Sequence, residues 1–195
     1  MRGRREFLAV AGTLGAGLVA GPGAAQQYLA PTPADVEGPF YPTRLPADAD
    51  GDLVRLAGAA REAEGRRLHI RGTVRATDGT ALSGAAVEIW QTDARGNYIH
   101  PQGAIAGARD EAFQGYGRTV ADAAGAYSFR TILPVAYRGR PPHVHFRVTA
   151  AGRRVLTTQL YFVPGSARRE LTVPPVALAG AEPDALLSAF DIVLA

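Results

Sequence analysis

His143-Val144-His145 is the sharpest local feature of this sequence. On a β-strand, residues i and i+2 project from one face, about 7 Å apart along the backbone, a placement that suits two imidazoles to one metal ion. Two of the chain's four histidines are placed this way. Taken alone, a His-x-His pair fits two core or surface histidines at least as well, so the surroundings have to decide. Just upstream, Ala136-Tyr137-Arg138-Gly139-Arg140-Pro141-Pro142 makes a rigid, polar loop that leads into the strand. Farther back, Trp90 to Tyr98 reads as a strand end followed by a turn that delivers Tyr98. A single tyrosine more commonly buries its ring and hydrogen-bonds its hydroxyl. Two tyrosines beside two histidines, however, form a coherent set of hard donors. Phenolate oxygen suits ferric iron, whose charge lowers the phenol's pKa far enough to ionise it.

The rest of the composition supports that donor set by exclusion. The 195 residues contain no cysteine, which rules out disulfides, thiolate zinc sites, iron–sulfur clusters and a cysteine nucleophile. Any metal falls to His, Tyr, carboxylate or backbone oxygen. The 21 basic residues are all arginine, three of them at Arg2, Arg4 and Arg5. Beyond residue 25 there remain 18 Arg against 17 acidic residues, with no run of like charge longer than two. That near-neutral balance gives no support to nucleic-acid binding.

The elements that must position these groups read as all-β. Residues 26–66 carry Pro31, Pro33, Pro39, Pro42 and Pro46 and read as an extended N-terminal arm. From residue 67 to 195 the pattern is that of a single β-sandwich domain. Leu68 to Val74 alternates apolar and polar residues, Ala85 to Trp90 and Tyr127 to Leu133 follow, and Val144 to Val148 and Val155 to Phe162 make two further strands. Ala189 to Leu194 is expected to close an edge. No amphipathic helix longer than two turns is evident.

The first 25 residues read as an address. Arg4-Arg5-Glu6-Phe7-Leu8 precedes an uncharged stretch from Phe7 to Gly21, with small residues at Gly23-Ala24-Ala25 for cleavage. The stretch is short for a bilayer span, so no stable membrane anchor is expected once it is removed. The paired arginines before Phe-Leu resemble a twin-arginine signal, although Gly3 stands where Ser or Thr is usual. An exported protein, periplasmic or extracellular, is the expectation.

Taken together, Trp90-Gln-x-x-x-x-Gly-x-Tyr98, then Tyr137 … Arg140-Pro-x-His143-x-His145-Phe146, then Thr158-Gln159-Leu160-Tyr161-Phe162 resemble the intradiol ring-cleavage dioxygenases. The likeness is to the protocatechuate 3,4-dioxygenase branch and its exported relatives, and also takes in Glu37-Gly38-Pro39-Phe40-Tyr41 and Gly115-Tyr116-Gly117-Arg118. The resemblance implies a mononuclear non-haem Fe(III) held by Tyr98, Tyr137, His143 and His145, with a solvent-derived hydroxide as fifth ligand. It implies that Tyr98 and His143 are equatorial and Tyr137 and His145 axial. Tyr137 would leave the iron and take one of the two protons that a catechol loses on binding. O2 would then attack the activated ring, and the product would be a cis,cis-muconate-type diacid. Arg140 would stabilise negative charge on the ring carbon that meets O2, and Gln159 would help polarise the same region. Gly38, Pro39, Trp90 and Arg140 would line the substrate pocket.

The partners implied are a small aromatic diol and O2, with assembly as homo-oligomers or paired subunits. One departure stands out: only Arg138 and Gly139 separate Tyr137 from Arg140, where several family members carry a longer loop with an aromatic residue. The choice among catechol, protocatechuate and hydroxylated relatives therefore stays open. Tyr116 and Arg118 are further candidates for pocket contacts, whereas His69 and His100 are not expected to be ligands. A non-enzymatic transthyretin-like β-sandwich module would account for the strands and turns, but not for two tyrosines, His-x-His and Arg140 in this order. A His-based zinc or copper hydrolase site would need carboxylates at ligand-like spacing beside His143 and His145, and none recurs there.

Overall fold

The computed structural model describes residues 28–165, 168–180 and 182–195, so the signal read in residues 1–25 lies outside the described residues. Nine strands form two sheets. They are β1 (Arg67–Ala76), β2 (Ala86–Trp90), β3 (Tyr116–Val120), β4 (Ala126–Ile132), β5 (His143–Thr149), β6 (Leu156–Tyr161), β7 (Val176–Ala177), β8 (Leu186–Ala189) and β9 (Ile192–Leu194). One sheet runs β4-β1-β8-β7 with β9 also against β1, and the other runs β3-β2-β5-β6. The only helical element among the described residues is a single 3-10 turn, Arg169–Leu171. None of the described helices is long and apolar enough to cross a membrane. The fold is the all-β sandwich that the alternation of residues predicts.

Period-two patterning builds the core. Leu68, Ile70 and Val74 of β1, with Phe129 of β4, meet Val87 and Ile89 of β2 and Val144, Phe146 and Val148 of β5 in one fully or nearly buried cluster. The intervening residues must then point to the outer faces. On β5 those are His143 and His145, yet both are as buried as the core residues between them, at 2% and 3% exposure. Their face must therefore be covered by something other than the second sheet.

The arm supplies that cover. Residues 28–66 contain no regular strand or helix, but they are tied down along their length. Leu29 N–H donates to the Thr77 carbonyl, Thr32 N–H to Val193 and Asp35 N–H to Thr157. Leu53 and Val54 are fully buried members of the core. A bridge between Asp52 and Arg130 adds backbone pairing at the edge strand β4.

Two elements depart from the sequence expectation. Ala189–Leu194 does not form one edge strand. The strand pairing begins earlier and is interrupted: β8 (Leu186–Ala189) pairs Leu68–Arg71 in parallel, and after Phe190 and Asp191 β9 pairs Val74–Ala76 in parallel. Between them Phe190 N–H donates to the Arg71 carbonyl, while the Asp191 carboxylate takes both the N–H and the hydroxyl of Thr73. A side-chain oxygen thus replaces a ladder carbonyl at that point. Gly72 permits the crossing, since a Cβ there would lie 1.9 Å from the Phe190 carbonyl oxygen. The second departure is β3, whose Gly117 breaks the alternation that would have marked it. A Cβ at Gly117 would sit 2.5 Å from Leu53 Cδ1, so the glycine serves the close approach of the arm.

Candidate metal centre and active site

The register of the second sheet assembles the site in a row. Across the outer face, Tyr116 of β3 pairs with Trp90 of β2, Trp90 with His145 of β5, and His145 with Gln159 of β6. His143 pairs with Tyr161 of β6 one step along. Cross-strand neighbours on one face lie within about 5 Å, close enough for direct side-chain contact.

Two turns then bring in the tyrosines. The turn after β2 is built on the buried Asp93 and Asn97. Asp93 Oδ1 accepts the N–H groups of Arg95 and Asn97, and its Oδ2 accepts that of Asp110. Asn97 Oδ1 accepts Ile105 and Ala106 N–H. A loop so heavily satisfied from within holds Tyr98 in a fixed position. The second turn, Tyr137-Arg138-Gly139-Arg140, has positive φ at both central residues, 43° and 74°. Its ends exchange backbone hydrogen bonds, Arg140 N–H to Tyr137 O at 2.7 Å and Tyr137 N–H to Arg140 O at 3.2 Å. This is a two-residue primed turn, in which the end residues stand side by side.

Four donor atoms converge. Tyr98 Oη lies 2.9 Å from Tyr137 Oη, 3.1 Å from His145 Nε2 and 3.4 Å from His143 Nε2. The two Nε2 atoms are 3.2 Å apart, and Tyr137 Oη is 3.5 Å from His143 Nε2. Four atoms each about 2 Å from one centre sit about 3 Å from one another, so this spacing matches a shared first-row metal ion. Among the described residues no three His, Cys, Asp or Glu side chains form such a group. The donors that do converge include the tyrosines, and the mixture of phenol oxygen and imidazole nitrogen fits ferric iron rather than a soft metal.

The two histidines are held differently. His143 Nδ1 donates to the Pro141 carbonyl at 2.6 Å, which leaves Nε2 as the ligating atom. His145 Nδ1 is buried with no partner. Its ring is instead stacked on Trp90, with centroids 4.8 Å apart and planes within 8°. Burial, with a contribution from Arg140, pushes His143 down to about 4 against the opposing pull of the Pro141 carbonyl. His145 is pushed well below its ordinary range too, by burial and then by His143 and Arg140. Burial and the neighbouring Tyr137 push Tyr98 in the other direction, well above the usual phenol range. Every donor with a shifted pKa is thus held in its neutral form, and only a bound cation would reverse the preference of the phenol.

Gly38, Pro39 and Trp90 do not share one environment. Gly38 has φ +70°, and a Cβ on it would be 3.5 Å from His145 Cε1, so the arm backbone passes over that ring. Pro39 is exposed beside it. Trp90 is fully buried, and its contact within the site is with the His145 ring. Arg140 Nη2 donates to Gln159 Oε1 at 2.6 Å, joining the two residues that the motif suggested for charge stabilisation. Outside this cluster, His69 pairs with Glu182 and His100 Nδ1 accepts the Gln102 N–H. Tyr116 is fully buried with its hydroxyl donated to Glu88.

Some site residues carry no signal in the sequence. Phe40 stacks on Tyr98 at 4.8 Å and Tyr41 packs edge-on to Trp90 at 5.0 Å. Both lie in the quoted Glu37-to-Tyr41 motif, but nothing in an arm without periodicity tells which ring covers which ligand. Asp35 and Val36, which reach Tyr161 and Gln159, are not marked by any motif.

Comparison with known proteins agrees with this geometry. The pattern of a protein family described as Dioxygenase matches residues 36–194. The chain is 36% identical over 140 residues to the protocatechuate 3,4-dioxygenase beta chain of Burkholderia cepacia, covering 67% of this chain and 59% of that one. It is 33% identical over 174 residues to catechol 1,2-dioxygenase 1 of Acinetobacter lwoffii, covering 74% and 53%. It therefore spans between half and three fifths of the length of these relatives. Among solved structures, the dioxygenase domain of a dioxygenase carbohydrate-binding protein fusion from Streptomyces sp. SirexAA-E aligns with a TM-score of 0.65 at 29% identity, covering 85% of this chain and 98% of that one.

Proposed function

We propose a function on one premise: the chain belongs to the intradiol ring-cleavage dioxygenase family. The protein is an Fe(III)-dependent enzyme that cleaves a catechol-type aromatic, such as catechol, protocatechuate or a hydroxylated relative, with O2 to a cis,cis-muconate-type diacid. The observation that carries this reading is the convergence of Tyr98, Tyr137, His143 and His145, whose donor atoms are linked by five contacts of 2.9–3.5 Å. A mononuclear ferric ion would be held there by Tyr98, Tyr137, His143 and His145, and would supply the Lewis acidity that makes a catechol reactive toward O2.

The chain's own groups divide the remaining work. His143 and His145, neutral through burial, offer their Nε2 atoms at physiological pH without first losing a proton. Tyr98 is buried and shielded by Phe40, whereas Tyr137 is only half-buried. Tyr137 is accordingly the phenol oxygen placed to take a proton from an arriving diol. Arg140, fixed by Gln159, keeps a cation at the edge of the site where negative charge builds on the substrate ring. Gly38, with its positive φ, carries the arm backbone over the His145 ring. The protein acts after export by the twin-arginine route.

Visible spectroscopy of the purified protein with iron quantified is the direct test. The expected result is a red-brown tyrosinate-to-iron absorption that shifts when a catechol is added without oxygen. Once oxygen is admitted, a muconate-type product is expected in place of a semialdehyde. A protein that takes up ferric iron and stays colourless, or that opens the ring beside the diol, would overturn the reading.

A further inference from the structure

Arg140 does not hold its own position, and the groups that hold it lead back to the arm. Its Nη2 donates to Gln159 Oε1 at 2.6 Å and lies 3.4 Å from the Tyr161 hydroxyl. The Gln159 amide is oriented in turn by the arm, because its Nε2 donates to the Val36 carbonyl at 2.6 Å. That bond turns Oε1 toward Arg140. The Tyr161 hydroxyl lies 3.1 Å from Asp35 Oδ2 and 2.8 Å from Gln159 Oε1. Asp35 itself is only 6% exposed in its side chain. Its Oδ1 accepts the Val36 N–H at 2.7 Å and Arg168 Nη2 at 3.3 Å.

We propose that Asp35 is a positioning residue for Arg140, acting through Tyr161 and Gln159, so that docking of the arm completes the reactive site. A carboxylate buried this deeply is costly unless it is fully used, and here three donors converge on it. Tyr161 is pushed up to about 12 by burial first and Asp35 second, so the hydroxyl stays a donor through the working pH range. With its one proton given to Asp35, the Tyr161 hydroxyl turns its lone pairs toward Arg140 Nη2. An anion in the arm thus orients a hydroxyl that, with Gln159 Oε1, holds the cation at the metal centre. Removing the anion frees Tyr161 to turn, and Gln159 and Arg140 then lose one of the two supports that fix the guanidinium. Misplacement of a charge-stabilising group by about 1 Å can cost about a hundredfold in rate. Asp35 makes no hydrogen bond to the four metal donors and reaches His143 only through its charge, so iron is expected to bind the Asp35→Asn variant.

The inference rests on the reading of Arg140 as the charge-stabilising residue, and its test separates the two ideas. Asp35→Asn, Arg140→Gln and the double variant are compared in the iron-loaded protein with catechol and protocatechuate. Asp35→Asn is expected to lower kcat about tenfold or more while KM moves less than about twofold. Its iron content and visible band should match the parent protein. In the Arg140→Gln background the same change should cost nothing further, because the residue it positions is gone. Multiplying effects, or full kcat in Asp35→Asn, would overturn the proposal. Tyr161→Phe cuts the same link at its middle and serves if Asp35→Asn fails to fold. If the parent protein cleaves neither diol, the functional reading fails and the linkage is judged without iron. Thermal unfolding of the same four metal-free proteins then decides, with coupled shifts supporting the linkage and additive shifts overturning it.

Discussion

Tyr137 and Arg140 face each other as a hydrogen-bonded pair, exchanging both backbone N–H groups across a turn of two residues. In such a pair the side chains emerge on the same side of the hairpin. The backbone thus fixes where a metal donor and the cation proposed to act beside it leave the chain, while the guanidinium itself is held by Gln159 and Tyr161. The shortness of this loop, which in the sequence reads only as a departure from longer relatives, sets the two side chains opposite each other.

The turn depends on left-handed backbone at two positions. At Gly139 an added Cβ would meet nothing within 4 Å, so Gly139→Ala tests conformation without packing. It is expected to destabilise the protein by about 1 kcal/mol. Arg138, at φ 43°, already bears that strain, and Arg138→Gly should leave stability unchanged or raised. Thermal melts of the two metal-free variants check the pair. Equal losses in both would show that side-chain contacts, and not φ, govern the turn.

Iron uptake should release protons in a pattern set by the donors. Each phenol that becomes a phenolate gives up one proton, so about two are expected from Tyr98 and Tyr137 together, besides the one released where water becomes the hydroxide ligand. The imidazoles should contribute none at pH 7, because burial holds His143 down near 4 and His145 well below its ordinary 6.5. An indicator titration with ferric iron counts them. Tyr98→Phe and Tyr137→Phe should each remove one proton from the count and alter the visible band.

Trp90 replaces a missing hydrogen bond. His145 has no partner at Nδ1 and relies on the stacked indole for its orientation. Trp90→Phe keeps a ring against the imidazole and is expected to retain iron. Trp90→Ala leaves a cavity and should cost about 3–5 kcal/mol, with iron affinity falling about tenfold to a hundredfold. Denaturant unfolding and competition with a chelator measure the two effects separately.

Acid stability should trace to Arg130. Its guanidinium contacts Asp52, Glu62 and Glu182, tying the arm and the C-terminal segment to β4. The guanidinium, through hydrogen bonds, holds the carboxyls of Glu62 and Glu182 below their ordinary 4.5. For groups lowered in the folded state, the stabilisation is complete above the unfolded value and is lost as pH falls through the folded one. The Tm should therefore stay level from pH 7 to about 5 and drop below about 4.5. Arg130→Gln should lower the plateau and flatten that drop. The groups are partly exposed, so added salt should shrink the difference.

Much of the fold was legible because it is written in local periodicity. Alternation marks β1, β4 and β5, and the same period of two places His143 and His145 on one face. The split of β8 from β9 was hidden, since it depends on Asp191 meeting Thr73, 118 residues earlier. Strand β3 was hidden for a similar reason, because Gly117 answers to Leu53 and not to its own neighbours.

By itself the sequence determined the donor types, the strand that carries two of them, and the turn that joins Tyr137 to Arg140. Absence of cysteine left nitrogen and oxygen donors, the His-x-His spacing put two of them on one face, and the resemblance to a known family implied the tyrosines. Only the tertiary structure decided that Tyr98 Oη lies 2.9 Å from Tyr137 Oη, that Trp90 orients His145, and that Asp35 reaches Arg140 through Tyr161 and Gln159. Those relations come from cross-strand register and from the docking of an arm that has no periodicity of its own. Neither is encoded in the spacing of residues along the chain; both arise from the packing of segments far apart in it.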